Sequence, residues 1–539
     1  MRGVVACPQP EAAEVGRRTL LAGGNAVDAA IATGFAQFAV DPQMCGIGGF
    51  GVMQVYHAPS GDHVTLEFLG RAPMKAAPDM FVDKVKRKLR FDQWEMDGRV
   101  NEIGHLSVAC PGAVLGLWEA HRRYGSLPWA ELAQPAIRLL EEGFPVPGEL
   151  ADLWRRPPTQ PGASSMLEVL SATEASRKIY VGGDGRTREQ GQVLRNPDYA
   201  RALGEIAEKG PGVLYTGWMA DRIAEEFAAN GGLLSKEDLS QYRVGVDKTV
   251  KVDYRGHVVA GVPPPSSGVQ VAQILRILEG YDLHAMGSGT AGFLNLMALA
   301  QKASFADRAR HLGDPAFQEV PVDEVFLSLP RAAEWRRRID AREPFEVTAG
   351  GVESQHTTTV SAIDAEGTAA ALTHTLATPA SGVVVDGLGF MFNNAMHMFD
   401  PQPGRPFSIA PGKARISAMT PTIVFRDGQP WAVVGAPGAT KIPTGVLQAV
   451  VNMVDFGMSP TEAVSAPRIH CEGGQVDVEA RVYFGVKDDL EAMGHTVSKS
   501  GYSYDPFFSL VHVAAADPAT GRLEGAADPR GRGGLAVVD

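Results

Sequence analysis

The sequence predicts a mixed α/β chain, on three observations. Between about 110 and 245, and again at 291–312, apolar residues recur at helical spacing. From residue 357 onward the texture changes to short alternating strands separated by glycine turns. Near the N-terminus the two patterns already interleave, but the chain as a whole reads as a helix-rich body, a linker and a β-rich unit that begins at the threonines.

Taken in order, residues 10–22 read as a helix stopped by Gly23-Gly24, after which Asn25 caps a second helix with Asp28 at its third position. The segment GGFGVMQVYHAPSGDHVTLEFLGRAP alternates like a hairpin, with Ser60-Gly61 at its turn. Four amphipathic stretches follow before residue 245, and AGFLNLMALAQKASFADRARHL makes a long helix. Residues 313–352 are polar, rich in proline and charge, and read as a linker or an exposed connection. At 357-TTTVSAIDAEGTAAALTHTL-376 the residues from Thr357 to Ile363 favour a strand, Asp364-Ala365-Glu366-Gly367 is a turn, and Thr368 to Leu376 returns. Antiparallel pairing about that turn sets residue 374 or 375 opposite Thr357, depending on a bulge, so Thr357 and Thr375 are expected to meet. Further short strands are read at SGVVVDGLGFMF and in MTPTIVFRDGQPWAVVG, the latter turning at Asp427-Gly428. At 435–457 a strand runs through a glycine loop into a helix.

Composition narrows the function. Apolar residues make up 45% of the 539, charged residues 21%, and glycine and proline number 61 and 37, which fits a loop-rich globular enzyme. A formal net charge of −12 argues against nucleic acid as a partner. No run of 18 apolar residues predicts a membrane span. The N-terminal stretch lacks a long apolar signal region, which reads as a cytoplasmic protein. Cys7, Cys45, Cys110 and Cys471 form no CxxC pair, so buried thiols are expected rather than zinc or disulfides.

Familiar catalytic motifs do not fit. GIGGFG at 46–51 lies between a helix and a strand, whereas a dinucleotide fingerprint follows a strand and opens a helix. GAPGATK at 435–441 lacks P-loop spacing, but a glycine loop leading into a helix offers backbone N–H groups to an anionic oxygen, or is simply a tight turn. Neither H-E-x-x-H nor G-x-S-x-G occurs. Threonine remains as a nucleophile. An internal threonine has no adjacent base, but cutting the peptide bond before it frees an α-amine, with a pKa of about 8, that can take the proton of its own hydroxyl.

The segments GGNAVDAAIA (23–32), GIGGFG (46–51), TTTVS (357–361), GVVVDGLGFMFNN (382–394), SAMTPTIVFRDGQP (417–430), GAPGATK (435–441), QAVVNMVDFGMSPTEAVSAPRIH (448–470) and MGHTV (493–497) together resemble the γ-glutamyltransferases, in the same order and across nearly the whole chain. The resemblance implies a four-layer αββα N-terminal nucleophile hydrolase, made as a proenzyme that cuts itself. Cleavage between His356 and Thr357 would give a large subunit of residues 1–356 and a small catalytic subunit of residues 357–539. These would assemble as a heterodimer, with a dimer of heterodimers as an option.

The implied nucleophile is Thr357. The family's supporting threonine falls on Thr375, its oxyanion glycines on Gly438 and Ala439, and the first of its two adjacent serines on Ser417, the second being Ala418. Thr359 and Asn394 join Ser417 as expected substrate contacts. No cofactor and no metal are implied, and the partners are a small-molecule amide and a water or amine acceptor. Three anchors for the amino-acid head of a glutamyl group are replaced: the arginine by Leu69, the asparagine by Ala377 and the aspartate by Met398. Arg71, two residues beyond Leu69, is either a replacement carboxylate anchor or half of a structural ion pair. The expected activity is cleavage of a γ-glutamyl or related acyl amide, with a dicarboxylic-acid monoamide as the alternative acyl donor. An unprocessed binding protein of the same fold is the rival outside enzymology.

Overall fold

The computed structural model describes residues 2–89, 94–158, 163–347 and 357–539. Two antiparallel sheets lie face to face. The first has seven strands in the order Gly534–Val538, Gly3–Cys7, Thr358–Asp364, Ala369–Thr375, Phe50–His57, Asp62–Phe68 and Gly245–Lys248. The second has six, in the order Leu523–Ala526, His512–Ala516, Gln429–Gly435, Thr422–Arg426, His257–Gly261 and Val250–Tyr254.

Burial explains the layering. Between the sheets sit Val4, Ala260, Ile363, Ala369, Ala371, Ile423, Val433 and Ala514, many of them small enough for two pleated faces to close on each other. The outer face of the first sheet packs on helices Pro10–Leu21, Ala26–Val40 and Ala113–Tyr124, with Trp129–Glu142 behind Ala26–Val40 and Pro197–Lys209 behind that. Helices Gly268–Leu278 and Lys441–Asp455 cover the second sheet, and Ala291–His311 packs behind Gly268–Leu278. The result is the expected α-β-β-α stack. Helix Ala26–Val40 is buried along its whole length, consistent with its run of alanine, isoleucine and phenylalanine.

Local signals fix how these layers join. Asn25 caps the buried helix, accepting from the N–H groups of Val27 and Asp28, while Asp28 accepts from Asn25 N–H and from Ser126. Asp364 holds the turn of the threonine hairpin by accepting from Thr368 N–H at 2.9 Å, and reaches Ala26 N–H at 3.0 Å with its other oxygen. One carboxylate therefore ties a hairpin turn to the start of the helix behind it.

Three expectations need correction. Residues 313–347 are not a linker: Val322–Phe326 forms a turn of π-helix and Leu329–Asp340 a helix that buries Ala332, Trp335 and Ile339 against the second core. Those three apolar positions have helical spacing but are masked by the surrounding arginines. SGVVVDGLGFMF is not a strand, since only the isolated bridges Val384–Met391 and Gly48–Phe392 form there. The chain is also not a helical body followed by a β unit. The first sheet draws strands from both sides of residue 357, and residues 245–261 supply three strands in two sheets. All four cysteines are buried and unpaired. No helix among the described residues is long and apolar enough to cross a membrane.

Two buried histidines set an acid limit. Burial pushes His374 down to about 3 and His512 down to about 4, so both are neutral in the folded chain at pH 5–7. The unfolded chain protonates each below about 6.5. Stability is thus present in full above that pH and is lost as pH falls toward about 4 for His512 and about 3 for His374. Urea unfolding at pH 7 and pH 5 should show a loss of about 2 kcal/mol per histidine. His374→Gln should remove about one histidine's share of that loss, and an undiminished loss in the variant would overturn the assignment.

Candidate active site

The site is built on the end of the threonine hairpin. Thr358 pairs with His374, Thr359 with Thr373, Val360 with Leu372 and Ser361 with Ala371, without a bulge. Continued by one residue, this register sets Thr357 against Thr375. Thr375 in turn pairs with Phe50 of the next strand. Directly opposed residues project to the same face of a sheet, so Thr357, Thr375 and Phe50 form a row across three strands.

Which face that row takes follows from its neighbours. Thr358 points to the helix layer, where its hydroxyl accepts from Gln37 Nε2 at 2.9 Å and donates to Gln9 Oε1 at 3.2 Å. His374 meets Gln37 Oε1 at 2.7 Å on the same side. Thr359 and Ser361 point the other way, into the space between the sheets. Thr359 donates to the Leu372 carbonyl at 2.8 Å, and Ser361 donates to the His512 carbonyl of the second sheet at 3.0 Å. By alternation Thr357 faces the mouth between the sheets. It retains 8% exposure, whereas Thr358 and Thr359 have none.

Facing this mouth is the loop between strand Gln429–Gly435 and helix Lys441–Asp455. A Cβ at Gly435 would collide with Thr359 Oγ1, so the strand end can approach the triplet only as glycine. Gly438 has φ +138° and its missing Cβ would lie 2.8 Å from Ser509 Oγ. Ala439 has φ +58°, the left-handed conformation that glycine adopts freely and alanine only under constraint. Neither the Gly438 nor the Ala439 N–H finds an acceptor among the described residues, and both lie at the start of a helix, where the dipole favours negative charge. Ser509 Oγ donates to the Pro437 carbonyl at 2.5 Å, and Arg468 donates to the Ser509 carbonyl at 2.9 Å. Arg468 is held by Asp528 at 2.7 Å, and Arg530 bridges Asp528 and Glu479 at 3.0 and 2.8 Å. These four charges are buried, so the loop rests on a fully paired ionic base.

Beside the row lies an apolar wall in which Phe50, Leu69, Ala377, Met398 and Met419 pack together. The three positions that replace the head-group anchors thus belong to one surface. Thr375 Oγ1 accepts from Ala377 N–H at 2.9 Å and fixes the bend there. Asn394 is fully buried, accepts from Thr378 N–H at 2.8 Å and donates to the Glu102 carbonyl at 2.9 Å, so it shapes the wall. Ser417 Oγ accepts from Met419 N–H at 3.1 Å. Arg71 is paired with Glu67 at 2.7 Å and lies over the Tyr242 ring, 5.9 Å from its centre. Of the two readings of Arg71, the structure contains the ion pair. His356 lies outside the described residues.

Sequence reasoning missed the buried amides behind the triplet. Gln37 donates to both Thr358 Oγ1 and the Thr359 carbonyl and meets His374, yet it sits in an apolar helix where nothing local marks it. Its only sequence signal is a polar residue on what reads as a wholly apolar helix.

Comparison with known proteins gives this geometry a family. The model described as gamma-glutamyltranspeptidase matches residues 12–538. The Acylase ACY 1 proenzyme of Pseudomonas sp. (strain V22) is 40% identical over 514 residues, covering 93% of this chain and 88% of that protein. The glutathione hydrolase proenzyme of Escherichia coli (strain K12) is 36% identical over 551 residues, covering 98% and 90%. The crystal structure of a cephalosporin acylase from Bacillus halodurans superimposes with a TM-score of 0.87 at 30% identity, covering all of this chain and 96% of that one. The chain therefore belongs to the gamma-glutamyltranspeptidase family of amide hydrolases and acyltransferases.

Proposed function

We propose that the protein is an N-terminal threonine amidohydrolase or acyltransferase that cuts itself between His356 and Thr357 and then uses Thr357 as nucleophile. The observation that carries this reading is the hairpin register. Alternation along the hairpin turns Thr358 to the helix layer and Thr357 to the mouth between the sheets, where Thr357 keeps 8% exposure while Thr358 and Thr359 have none. The proenzyme names of the acylase and glutathione hydrolase relatives support processing into two subunits.

In this mechanism the freed amine of Thr357 takes the proton from Oγ1 as that oxygen attacks the amide carbonyl. The carbonyl becomes a tetrahedral oxyanion that accepts from the Gly438 and Ala439 N–H groups. Such preorganised donors are typically worth about 3–4 kcal/mol each in the transition state. Collapse breaks the C–N bond, the amine of Thr357 protonates the leaving nitrogen, and an acyl ester on Thr357 remains. Water or a second amine then attacks that ester by the same route, returning the proton to Thr357 Oγ1. Thr375 orients the nucleophile from across the hairpin.

The acyl group is better matched by a dicarboxylic-acid monoamide than by γ-glutamyl. A γ-glutamyl head carries an ammonium, and burying one without a partner is unfavourable by several kcal/mol. Leu69, Ala377 and Met398 supply no counter-charge. That one structural neighbour is a cephalosporin acylase supports an acyl group other than γ-glutamyl.

Two tests follow. Mass spectrometry of the purified protein should find a new N-terminus at Thr357. Thr357→Ala should abolish both cleavage and turnover, whereas Thr375→Ala should slow them by the loss of one orienting hydrogen bond, about 0.5–1.5 kcal/mol. Full processing in Thr357→Ala would refute the mechanism. For the substrate, kcat/KM should be higher for a glutaryl amide than for the matching γ-glutamyl amide. A preference for the γ-glutamyl compound of tenfold or more, about 1.4 kcal/mol in transition-state binding, would restore plain γ-glutamyl transfer.

A further inference from the structure

The apolar wall beside Thr357 holds a charge that no carboxylate among the described residues neutralises. Arg415 is 5% exposed and its guanidinium lies over Phe50, 5.4 Å from the ring centre. Its backbone N–H donates to the Gly70 carbonyl at 3.1 Å, which fixes the residue along the Leu69–Gly70 edge of the wall. The guanidinium itself makes one hydrogen bond, from Nη2 to the Ile416 carbonyl at 2.6 Å, and Nε has no partner. No carboxylate pairs with it among the described residues. Burial, with Arg308 nearby as a further positive charge, pushes it down to about 9, far below the ordinary guanidinium value.

The contrast with the rest of the molecule is informative. Arg71 has Glu67, Arg331 has Asp307, Arg468 has Asp528, and Arg530 has both Asp528 and Glu479. A buried guanidinium left without a counter-ion is unfavourable by several kcal/mol, and a planar fork of N–H donors is matched by a carboxylate. We propose that Arg415 is the anchor for a carboxylate at the far end of the acyl chain, so that the protein selects ω-carboxyacyl amides. The assignment rests on the reading of Thr357 as the acyl acceptor and deepens it.

Distance favours a short diacid. Phe50 stands two strands from Thr357 in the cross-strand row, roughly 10 Å at about 4.8 Å per strand. A five-carbon diacid spans about 5 Å between its carboxyl carbons, so with the ester bond at one end and a hydrogen bond of about 2.9 Å at the other it reaches about as far as Phe50, the residue over which the Arg415 guanidinium lies. The chain between them would lie on Phe50, Leu69 and Met398. An α-ammonium would meet the same apolar surface, where Phe50, Leu69 and Met398 offer it no counter-charge.

The test compares processed wild type with Arg415→Met, Arg415→Lys and Arg71→Met, on glutaryl and pentanoyl p-nitroanilides. These two amides differ only in the terminal carboxylate. The ratio of their kcat/KM values should favour glutaryl in the wild type and fall about 100-fold in Arg415→Met, mainly through KM, as expected for removing one partner of a buried charge pair. Arg415→Lys should recover part of the ratio, and Arg71→Met should leave most of it. A fall of less than about threefold in Arg415→Met, or a selective fall in Arg71→Met alone, overturns the assignment. If Arg415→Met does not fold, Arg415→Lys decides, since a wild-type ratio in that variant also overturns it. Free glutarate provides a separate arm: it should raise the Tm of the wild type and not that of Arg415→Lys. An uncut, inactive wild type that glutarate still stabilises through Arg415 would sink the reading of Thr357 and leave the carboxylate site standing, whereas equal stabilisation of both proteins would sink the site.

Discussion

A single strand register governs the site. Because side chains alternate with a period of two, a slip of one residue would bury Thr357 in the helix layer and turn Thr358 toward the mouth. The register is held at several points. Asp364 closes the turn, Gln37 grips Thr358, the Thr359 carbonyl and His374 from behind, and Ser361 reaches the His512 carbonyl of the facing sheet. Each tie is worth only about a kilocalorie net, but each would leave a buried group unpaired in the shifted register, which costs about 1–3 kcal/mol. Specificity of register comes from that penalty more than from the bonds themselves.

The opposing loop is fixed by a different device. Gly435 and Gly438 approach Thr359 and Ser509 at distances that no side chain permits, so position is set by contact. Behind Ser509 the buried charges of Arg468, Asp528, Arg530 and Glu479 contribute geometry rather than stability, because desolvation offsets most of their attraction. The structure thus places an ionic lattice where orientation matters and leaves the sheet interface to alanine and valine.

How much of this was legible in the sequence depended on range. The capped helix at Asn25 and the hairpin at Ser60-Gly61 are local and legible from spacing, which also narrowed the residue opposite Thr357 to 374 or 375. The strands at 245–261 went unread although 250-VKVDY-254 alternates strictly and Arg255-Gly256 turns it back onto His257–Gly261; what local spacing could not show is that this hairpin joins Thr422–Arg426 in one sheet while Gly245–Lys248 joins Asp62–Phe68 in the other. The helix at 329–340 was hidden by its arginines. Arg415 could not be singled out, since a lone arginine has no periodicity. Its lack of a counter-ion is a property of everything folded around it.

Three alanines around the site show what has changed and what has not. Ala377, Ala380 and Ala439 have φ of +77°, +128° and +58°, conformations that cost a residue with a Cβ about 1–2 kcal/mol each. At Ala377 the family resemblance expects asparagine, and at Ala439 glycine, both of which tolerate positive φ better. Alanine therefore sits in backbone shapes it does not itself favour, imposed by neighbours: Thr375 Oγ1 on the Ala377 N–H, Asn394 on both sides of Thr378, and Pro437–Ser509 beside the Gly438–Ala439 loop. Such strain persists only where the surroundings over-determine the backbone. The backbone frame around Thr357 and the Gly438–Ala439 loop, which the proposed mechanism uses for its nucleophile and two N–H donors, is thus kept independently of the side chains that line it. Substrate preference can then move from a zwitterionic head to an apolar chain without disturbing the chemistry, because the two are carried by different atoms of the same residues.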